Sequence, residues 1–295
     1  MKQPDQIPEV NFQNRQKKAF EFEIVSNKEF LVNHPPEDHD PFRPHRLQYY
    51  AIIFIVKGQG YHFIDFKRYP YKEGSIIFVA KDQIHAFERN MDRAASFLLF
   101  TEKFLERSSL GSNLMHHLTL YNYQLYAPVL QLPDKASINI ISTLVNQIEA
   151  EFIAPDDFAT EEIIQSALKI LLCMAERVRK SNIVITPSSL YYKDFISFQG
   201  LLKKHLFETR QVQFYAEKMM VSTKKLNRIT QEMKNQAAKN YINDQLIIEI
   251  KRLLTNTALS IKEISYKTGF EEPTNFVKYF KKYTNLTPVE FRRQI

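Results

Sequence analysis

Two clusters of side chains in the last third of this 295-residue chain carry its most specific chemistry. The first is Lys224, Lys225, Asn227 and Arg228; the second is Thr274, Asn275, Lys278, Lys281 and Lys282. Ammonium and guanidinium groups neutralise phosphates, while Arg and Asn can pair bidentately with the edges of guanine and adenine. Other reactive residues are sparse. Cys173 sits in an apolar helical stripe, where packing explains it better than thiolate chemistry does. Asp156 and Asp157 fall in a loop and read as solvated or capping acids. With 6 glycines in all, no Gly-rich phosphate cradle exists, and no Cys/His set has finger spacing. No catalytic group and no cofactor is expected, so the chain reads as a non-enzyme.

The elements that must position these clusters are short helices. Val212, Tyr215, Ala216 and Met219 recur at the three/four spacing of an amphipathic helix. Ser222 can cap the next one, which buries Leu226, Ile229 and Met233 and turns the first cluster outward. A continuous helix then runs from about Gln236 to Asn256, with Tyr241, Ile242, Leu246, Ile250, Leu253 and Leu254 on its buried side. The pattern repeats after it. Ser260 caps a helix through Ile261 and Ile264, Gly269 supplies a sharp turn, and Glu272-Pro273 open a helix burying Phe276, Phe280 and Tyr283. Its outward side carries the second cluster. Each unit has the profile of a recognition helix: one apolar stripe to seat it and one basic stripe for a groove.

The run Ser222-x3-Leu226-x-Arg228, Tyr241, Lys251-Arg252-Leu253-Leu254, Ser260-Ile261-x-Glu263-Ile264-x4-Gly269-Phe270-x5-Phe276-x3-Phe280-Lys281-Lys282-x5-Pro288-x2-Phe291-Arg292 resembles the DNA-binding domain of the AraC/XylS family of bacterial transcription regulators. Asn235 and Asn285 stand where that family usually has Gly; Asn tolerates the left-handed conformation, so the turn is expected to survive. Thr230-Gln231 replace its usual Phe-Lys, and the first unit matches less well than the second. By positional match, the resemblance implies base contacts for Lys224, Asn227 and Arg228 and for Thr274, Asn275 and Lys278. It leaves Lys225, Lys281 and Lys282 to phosphate. It also implies double-stranded promoter DNA, a second copy of the chain and RNA polymerase as partners.

Charge is distributed to match. Residues 196–295 hold 18 Lys+Arg against 9 Asp+Glu, net +9, whereas residues 1–195 hold 22 against 24, net −2. The basic excess therefore belongs to the segment with the paired helices, as a phosphate footprint would. A chain of this length suits two domains. No apolar run reaches the roughly eighteen residues of a membrane span, MKQPDQIPEV lacks an apolar signal core, and the single Cys suits a reducing compartment. A cytoplasmic protein that does not enter membranes is expected.

Residues 20–100 alternate and turn like antiparallel strands: Tyr49–Val56, Tyr61–Phe66, Tyr69–Tyr71, Ser75–Ala80, Gln83–Phe87 and Ala94–Phe100. Turns are expected at Lys57–Gly60, Lys67-Arg68 and Lys72–Gly74. Short strands at this spacing indicate a sandwich or barrel, and residues 44–87 resemble the cupin-like effector domain that precedes the DNA-binding domain in the same family. Cupin metal sites pair His-x-His with a carboxylate and a later His; here Leu47 breaks the pair, only His45 and His85 remain, and no metal is expected. The resemblance places a small-molecule effector inside the barrel, against Arg43, His45, Tyr61, Phe63, Phe78 and His85. Both alternating sets are apolar, so strand phase is open at each of these positions. Tyr and His suit a sugar or similar polyol; the aromatics suit a greasy cavity equally well.

Helical periodicity returns over Ala136–Phe152, and again from a cap at Thr160 to Arg179. Ile164, Leu168, Leu171, Ala175 and Val178 form an a/d-like stripe that Ile163, Ala167, Ile170 and Met174 widen. Either the preceding helix or a second copy of the chain must cover it, and the family's dimers form here; a homodimer is expected. The expected fold is therefore multidomain α and β: an N-terminal cupin-like antiparallel β-barrel (1–135), a helical dimerisation segment (136–180), a Ser/Asn/Pro linker (181–195) and an all-α domain with two helix-turn-helix units (196–295). The function expected is sequence-specific DNA-binding regulation under effector control. The competing reading is a cupin-type ligand-binding protein or enzyme with an incidental helical tail.

Overall fold

A computed structural model describes residues 8–13, 18–26, 40–88, 94–106, 119–123, 126–181, 191–257 and 259–293. The described residues fall into two compact units, 8–181 and 191–293. The N-terminal unit contains two five-stranded sheets. One runs in the order β1 (Glu9–Val10), β3 (His45–Leu47), β8 (Ile84–Phe87), β5 (Gln59–Ile64), β6 (Lys67–Lys72). The other runs β10 (Val129–Gln131), β7 (Ser75–Val79), β4 (Tyr50–Lys57), β9 (Ala94–Phe100), β2 (Phe22–Ser26). Pairing is antiparallel throughout except at the edge, where β1 lies parallel to β3.

The near-continuous apolar runs of β4, β7 and β9 have a direct cause: their sheet is buried on both faces. Ile53, Ile55, Ile77, Val79, Phe97 and Leu99 face the other sheet, meeting Leu47, Ile64, Tyr71 and Phe87. The alternate set, Ile52, Phe54, Ile76, Phe78, Leu98 and Phe100, faces two helices, α2 (Lys135–Ile153) and α3 (Thr160–Ser181), which follow the short α1 (Glu102–Glu106). Both helices thus share one compact unit with the sheets. Asp134 opens α2 by accepting from Ser137 N at 2.7 Å. Ahead of α3 the cap falls to Asp157 rather than Thr160: its carboxylate accepts from Ala159 N at 2.8 Å and Thr160 N at 3.1 Å, which holds its pKa below the usual range.

The β5–β6 hairpin turns at Asp65-Phe66, both with positive φ, and not at Lys67-Arg68, which are the first residues of β6. Two residues in the left-handed region are what a two-residue loop needs to match strand twist. Asp65 is held there by Gln83 Nε2, which donates to its carboxylate at 2.7 Å.

The C-terminal unit is helical: α4 (Tyr192–His205), α5 (Val212–Lys218), α6 (Thr223–Lys234), α7 (Ala238–Asn256), α8 (Ile261–Lys267), α9 (Pro273–Thr284) and α10 (Pro288–Arg293). Helix α4 starts at Tyr192, inside the stretch read as linker; residues 182–190 of that stretch lie outside the described residues. The long α7 packs against α6 on one side and α8 and α10 on the other. Aromatic rings fill both junctions: Phe198 lies 5.6 Å from Tyr215 and 5.8 Å from Tyr241, and Phe280 lies 5.5 Å from Phe291.

The two turns between paired helices repeat the same hydrogen bonds. Val221 N donates to Ala216 O at 2.9 Å, and Phe270 N donates to Ser265 O at 3.0 Å. Both close a left-handed helix end of the Schellman type. The second turn uses Gly269 at φ +77, whereas the first forces Met220 to φ +54. Met220 is 94% exposed and packs on nothing that its loss would empty. Met220→Gly should therefore stabilise this unit by about 1 kcal/mol, the left-handed penalty less the entropy of glycine. Equilibrium denaturation at unchanged m-value checks this.

Candidate nucleic-acid interface and effector site

Helix α6 is built as its sequence suggests. Ser222 Oγ accepts from Lys225 N at 3.1 Å, and Leu226, Ile229, Thr230 and Met233 are buried. Asn235 ends the helix at φ 52, so Asn does replace Gly in the left-handed position. Lys224, Lys225 and Arg228 point to solvent. Lys225 Nζ is 3.4 Å from Asp194 Oδ2, and the Arg228 guanidinium lies 5.7 Å from the Tyr191 ring.

Asn227 is placed differently from the expectation. Its Nδ2 donates to Thr223 O at 3.0 Å and its Oδ1 accepts from Ala238 N at 3.0 Å. Ala238 is the first residue of α7, so this amide satisfies an orphan donor at a helix start and ties α6 to α7. Both ends of the side chain are engaged within the fold. Its place on the outward stripe is taken by Gln231, which is exposed one turn beyond Arg228. The signal for Gln231 was its spacing, three residues after Arg228 and seven after Lys224. Asn227→Ala should cost about 1 kcal/mol of stability, as loss of a part-buried bond to a helix end does, while leaving the preferred DNA sequence unchanged in a binding-site selection.

Helix α9 buries Phe276 and Phe280 and leaves Thr274, Asn275, Lys278, Lys281 and Lys282 exposed together on its other side. Thr274 Oγ1 donates to Glu272 Oε2 at 3.3 Å; Asn285 ends the helix at φ 62. The preceding α8 begins with a full capping box: Glu263 N donates to Ser260 Oγ at 3.2 Å and Ser260 N donates to Glu263 Oε2 at 2.7 Å. These bonds favour the charged carboxylate and lower the Glu263 pKa. Its contribution is thus present above the ordinary Glu range and fades as pH falls through the lowered value.

The long helix fixes where α9 sits. Asn243 Nδ2 donates to Tyr283 Oη at 2.6 Å while its Oδ1 accepts from Tyr279 Oη at 3.0 Å. Burial raises the Tyr279 phenol well above its ordinary pKa, so it stays a donor. Arg292 donates to Leu254 O at 2.8 Å and Leu259 O at 2.9 Å, closing α10 onto the end of α7. On the other side, Gln199 Nε2 donates to Tyr241 Oη at 3.0 Å. Two basic helix faces are thus mounted on one rod by part-buried polar bonds.

In the N-terminal unit, the expected effector residues separate. His45 and His85 are buried and face each other across β3 and β8, with ring centroids 4.2 Å apart. His62 joins them, its Nε2 3.1 Å from His85 Nδ1. Tyr61 and Phe63, expected inside, are 38% and 39% exposed on the outer face of β5. The phase is set by neighbours: His62 and Ile64 stand beside Phe87 and His85 of β8, on the face toward the second sheet. Tyr61 tolerates the outside because the Arg68 guanidinium stacks 3.6 Å from its ring. Phe78 is buried on the helix side of its sheet rather than between the sheets. Arg43 lies exposed, 3.8 Å from Asp40. In the sequence His62 stands between Tyr61 and Phe63, and a run in which both alternating sets are apolar or aromatic does not mark which one faces in. Among the described residues, no group of three or more His, Cys, Asp or Glu is arranged to hold a metal ion.

Among the described residues no helix is long and apolar enough to cross a membrane. Residues 33–168 match the AraC-like ligand binding domain family, and residues 215–294 match a Helix-turn-helix domain family. The chain is 18% identical to the HTH-type transcriptional activator RhaR of Enterobacter sp. (strain 638) over 86% of its own length and 88% of that protein. It is 24% identical to the Msm operon regulatory protein of Streptococcus mutans, over 86% of this chain and 87% of that one. A solved structure of ToxT from Vibrio cholerae is similar at 17% identity and a TM-score of 0.44, covering 94% of this chain and 99% of that chain. One profile falls on the unit of sheets and the other on the unit of paired helices, and on these grounds the chain belongs to the AraC/XylS family of transcription regulators.

Proposed function

We propose that this protein binds a promoter sequence through α6 and α9 together, as a homodimer, under the control of a small molecule held in the N-terminal unit. The carrying observation is the pair of basic helix faces fixed to α7, α6 through the Asn227–Ala238 bond and α9 through Asn243 with Tyr279 and Tyr283. Two readers at fixed separation select successive major-groove segments on one side of a duplex. Lys224 and Arg228 on α6, and Thr274, Asn275 and Lys278 on α9, read base edges; Lys225, Lys281 and Lys282 hold phosphates. RNA polymerase is the partner such a site implies, and the cytoplasm is the compartment.

The dimer reading is supported by α3, where Ile163 and Ile170 are exposed and Ala167 and Met174 only half-buried. The chain's own core buries Ile164, Leu168, Leu171 and Ala175 and leaves Ile163 and Ile170 exposed. Facing copies would bury them. For the effector, the inward polar groups are His45, His62 and His85, whose ring nitrogens suit the hydroxyls of a sugar or similar polyol.

Selection of bound duplexes from a random pool tests the reading. A bipartite consensus should emerge with its halves about one helical turn apart, and affinity should fall steeply between 50 and 200 mM salt. A flat sequence profile would remove the assignment of α6 and α9 as readers.

A further inference from the structure

Near the end of α3 lies a buried cation that the DNA-binding function does not use. Arg179 is 5% exposed. One edge of its guanidinium is occupied, since Nη1 donates to Ala127 O at 2.8 Å. The other two donors, Nε and Nη2, are buried and have no hydrogen-bond partner among the described residues. These two N–H groups lie along the same edge of the planar fork, the geometry that grips a carboxylate bidentately. Glu176, one turn earlier, does not serve that edge: its carboxylate accepts from Thr119 N and Thr119 Oγ1, both at 2.9 Å, and pairs with Lys180 at 3.3 Å.

The surroundings add a second donor and an apolar wall. The guanidinium carbon is 5.8 Å from the Phe78 ring and 5.7 Å from the Tyr126 ring. Tyr121 packs on the same Phe78 at 5.5 Å and on Tyr50 at 5.0 Å, and its buried hydroxyl also has no partner among the described residues. Burial raises the Tyr121 phenol well above its ordinary pKa, so the hydroxyl keeps its proton. Burial lowers Arg179 only to about 10, which leaves it charged at neutral pH. Unmet donors of this kind are costly in a protein interior, and three of them border one aromatic side chain.

We propose that Arg179 and Tyr121 form a binding site for a small organic carboxylate, between the helix-facing side of the second sheet and α3, separate from the space between the two sheets. The carboxylate takes the Nε/Nη2 edge, the Tyr121 hydroxyl donates to it, and Phe78 and Tyr50 contact the apolar body.

Titration calorimetry on the full chain, with hexanoate as probe and hexan-1-ol as the uncharged control at matched ionic strength, tests this. No DNA is present, so the outcome does not depend on how the protein reads a promoter. Hexanoate should bind one per chain and raise the melting temperature, and hexan-1-ol should do neither. Arg179→Met should weaken hexanoate at least tenfold while its ligand-free melting temperature stays level or rises, because an apolar side chain of similar length has no unmet donors. Tyr121→Phe should weaken binding several-fold. If the Met variant fails to fold, the side-chain Nε–H resonance of Arg179 in the unsubstituted protein still decides, since hexanoate must shift it. No saturable binding of acetate, hexanoate or benzoate would overturn the site, and so would equal binding by the Met and Phe variants or an unmoved Nε–H resonance.

Discussion

Replacing Arg228 and Lys278 together by Asp should reduce affinity for the selected promoter sequence by roughly 1,000-fold or more, with no loss of fold. Each base contact of this type contributes about 1–3 kcal/mol of discrimination, and each reversed charge adds repulsion from the phosphates. Both side chains are exposed, and beyond the 5.7 Å approach of Arg228 to the Tyr191 ring neither ties its helix to another element among the described residues, so the melting temperature should stay within about 2 °C of the parent. The contrasting substitution is Lys281→Gln with Lys282→Gln. It should weaken all duplexes alike, flatten the dependence of log affinity on log salt by about two counterions, and leave the preferred sequence intact. Gel-shift titrations at several salt concentrations distinguish the two outcomes. Retained binding by the double Asp variant would mean that the exposed faces of α6 and α9 do not meet DNA.

The largest effect on stability is expected at Gly269. Its φ of +77 suits glycine, and a Cβ there would lie 2.2 Å from the carbonyl oxygen of Phe207. The clash is with backbone, so no side chain can swing away to relieve it. Gly269→Ala should destabilise the helical unit by about 3 kcal/mol, combining the left-handed penalty with forced displacement of the 207 segment. For a unit of this size that is a fall on the order of 15 °C in melting temperature. DNA binding should fail with it, since Arg210 stacks 4.1 Å from Phe270 beside this turn and reaches Tyr279 on α9 at 5.5 Å. Calorimetry on the substituted chain would show the helical unit melting early. A melting temperature unchanged within error would mean the turn opens at little cost.

Much of the helical unit was legible in the sequence because its determinants are local. The caps at Ser222 and Ser260 bond within three residues, the left-handed ends at Asn235 and Asn285 depend on residue type, and the apolar stripes repeat within one turn. The same locality explains the strands of the second sheet, whose apolar runs announce burial without saying which residue faces which layer.

What the sequence by itself determined, then, is the order of elements, the turns between paired helices and the outward basic faces, all carried by spacings of a few residues. Tertiary structure alone decided the rest. It assigned Asn227 to Ala238, eleven residues away, and placed His62 rather than Tyr61 and Phe63 beside His85. It also turned Phe78 toward the helices and brought Arg179 to Ala127, 52 residues apart. The physical reason is that these partners lie outside the local segment. Asn227 and Arg179 meet groups that only the packing of separate elements brings near, and in the strands that carry His62 and Phe78 both alternating sets are apolar or aromatic, so the segment carries no record of which one faces in.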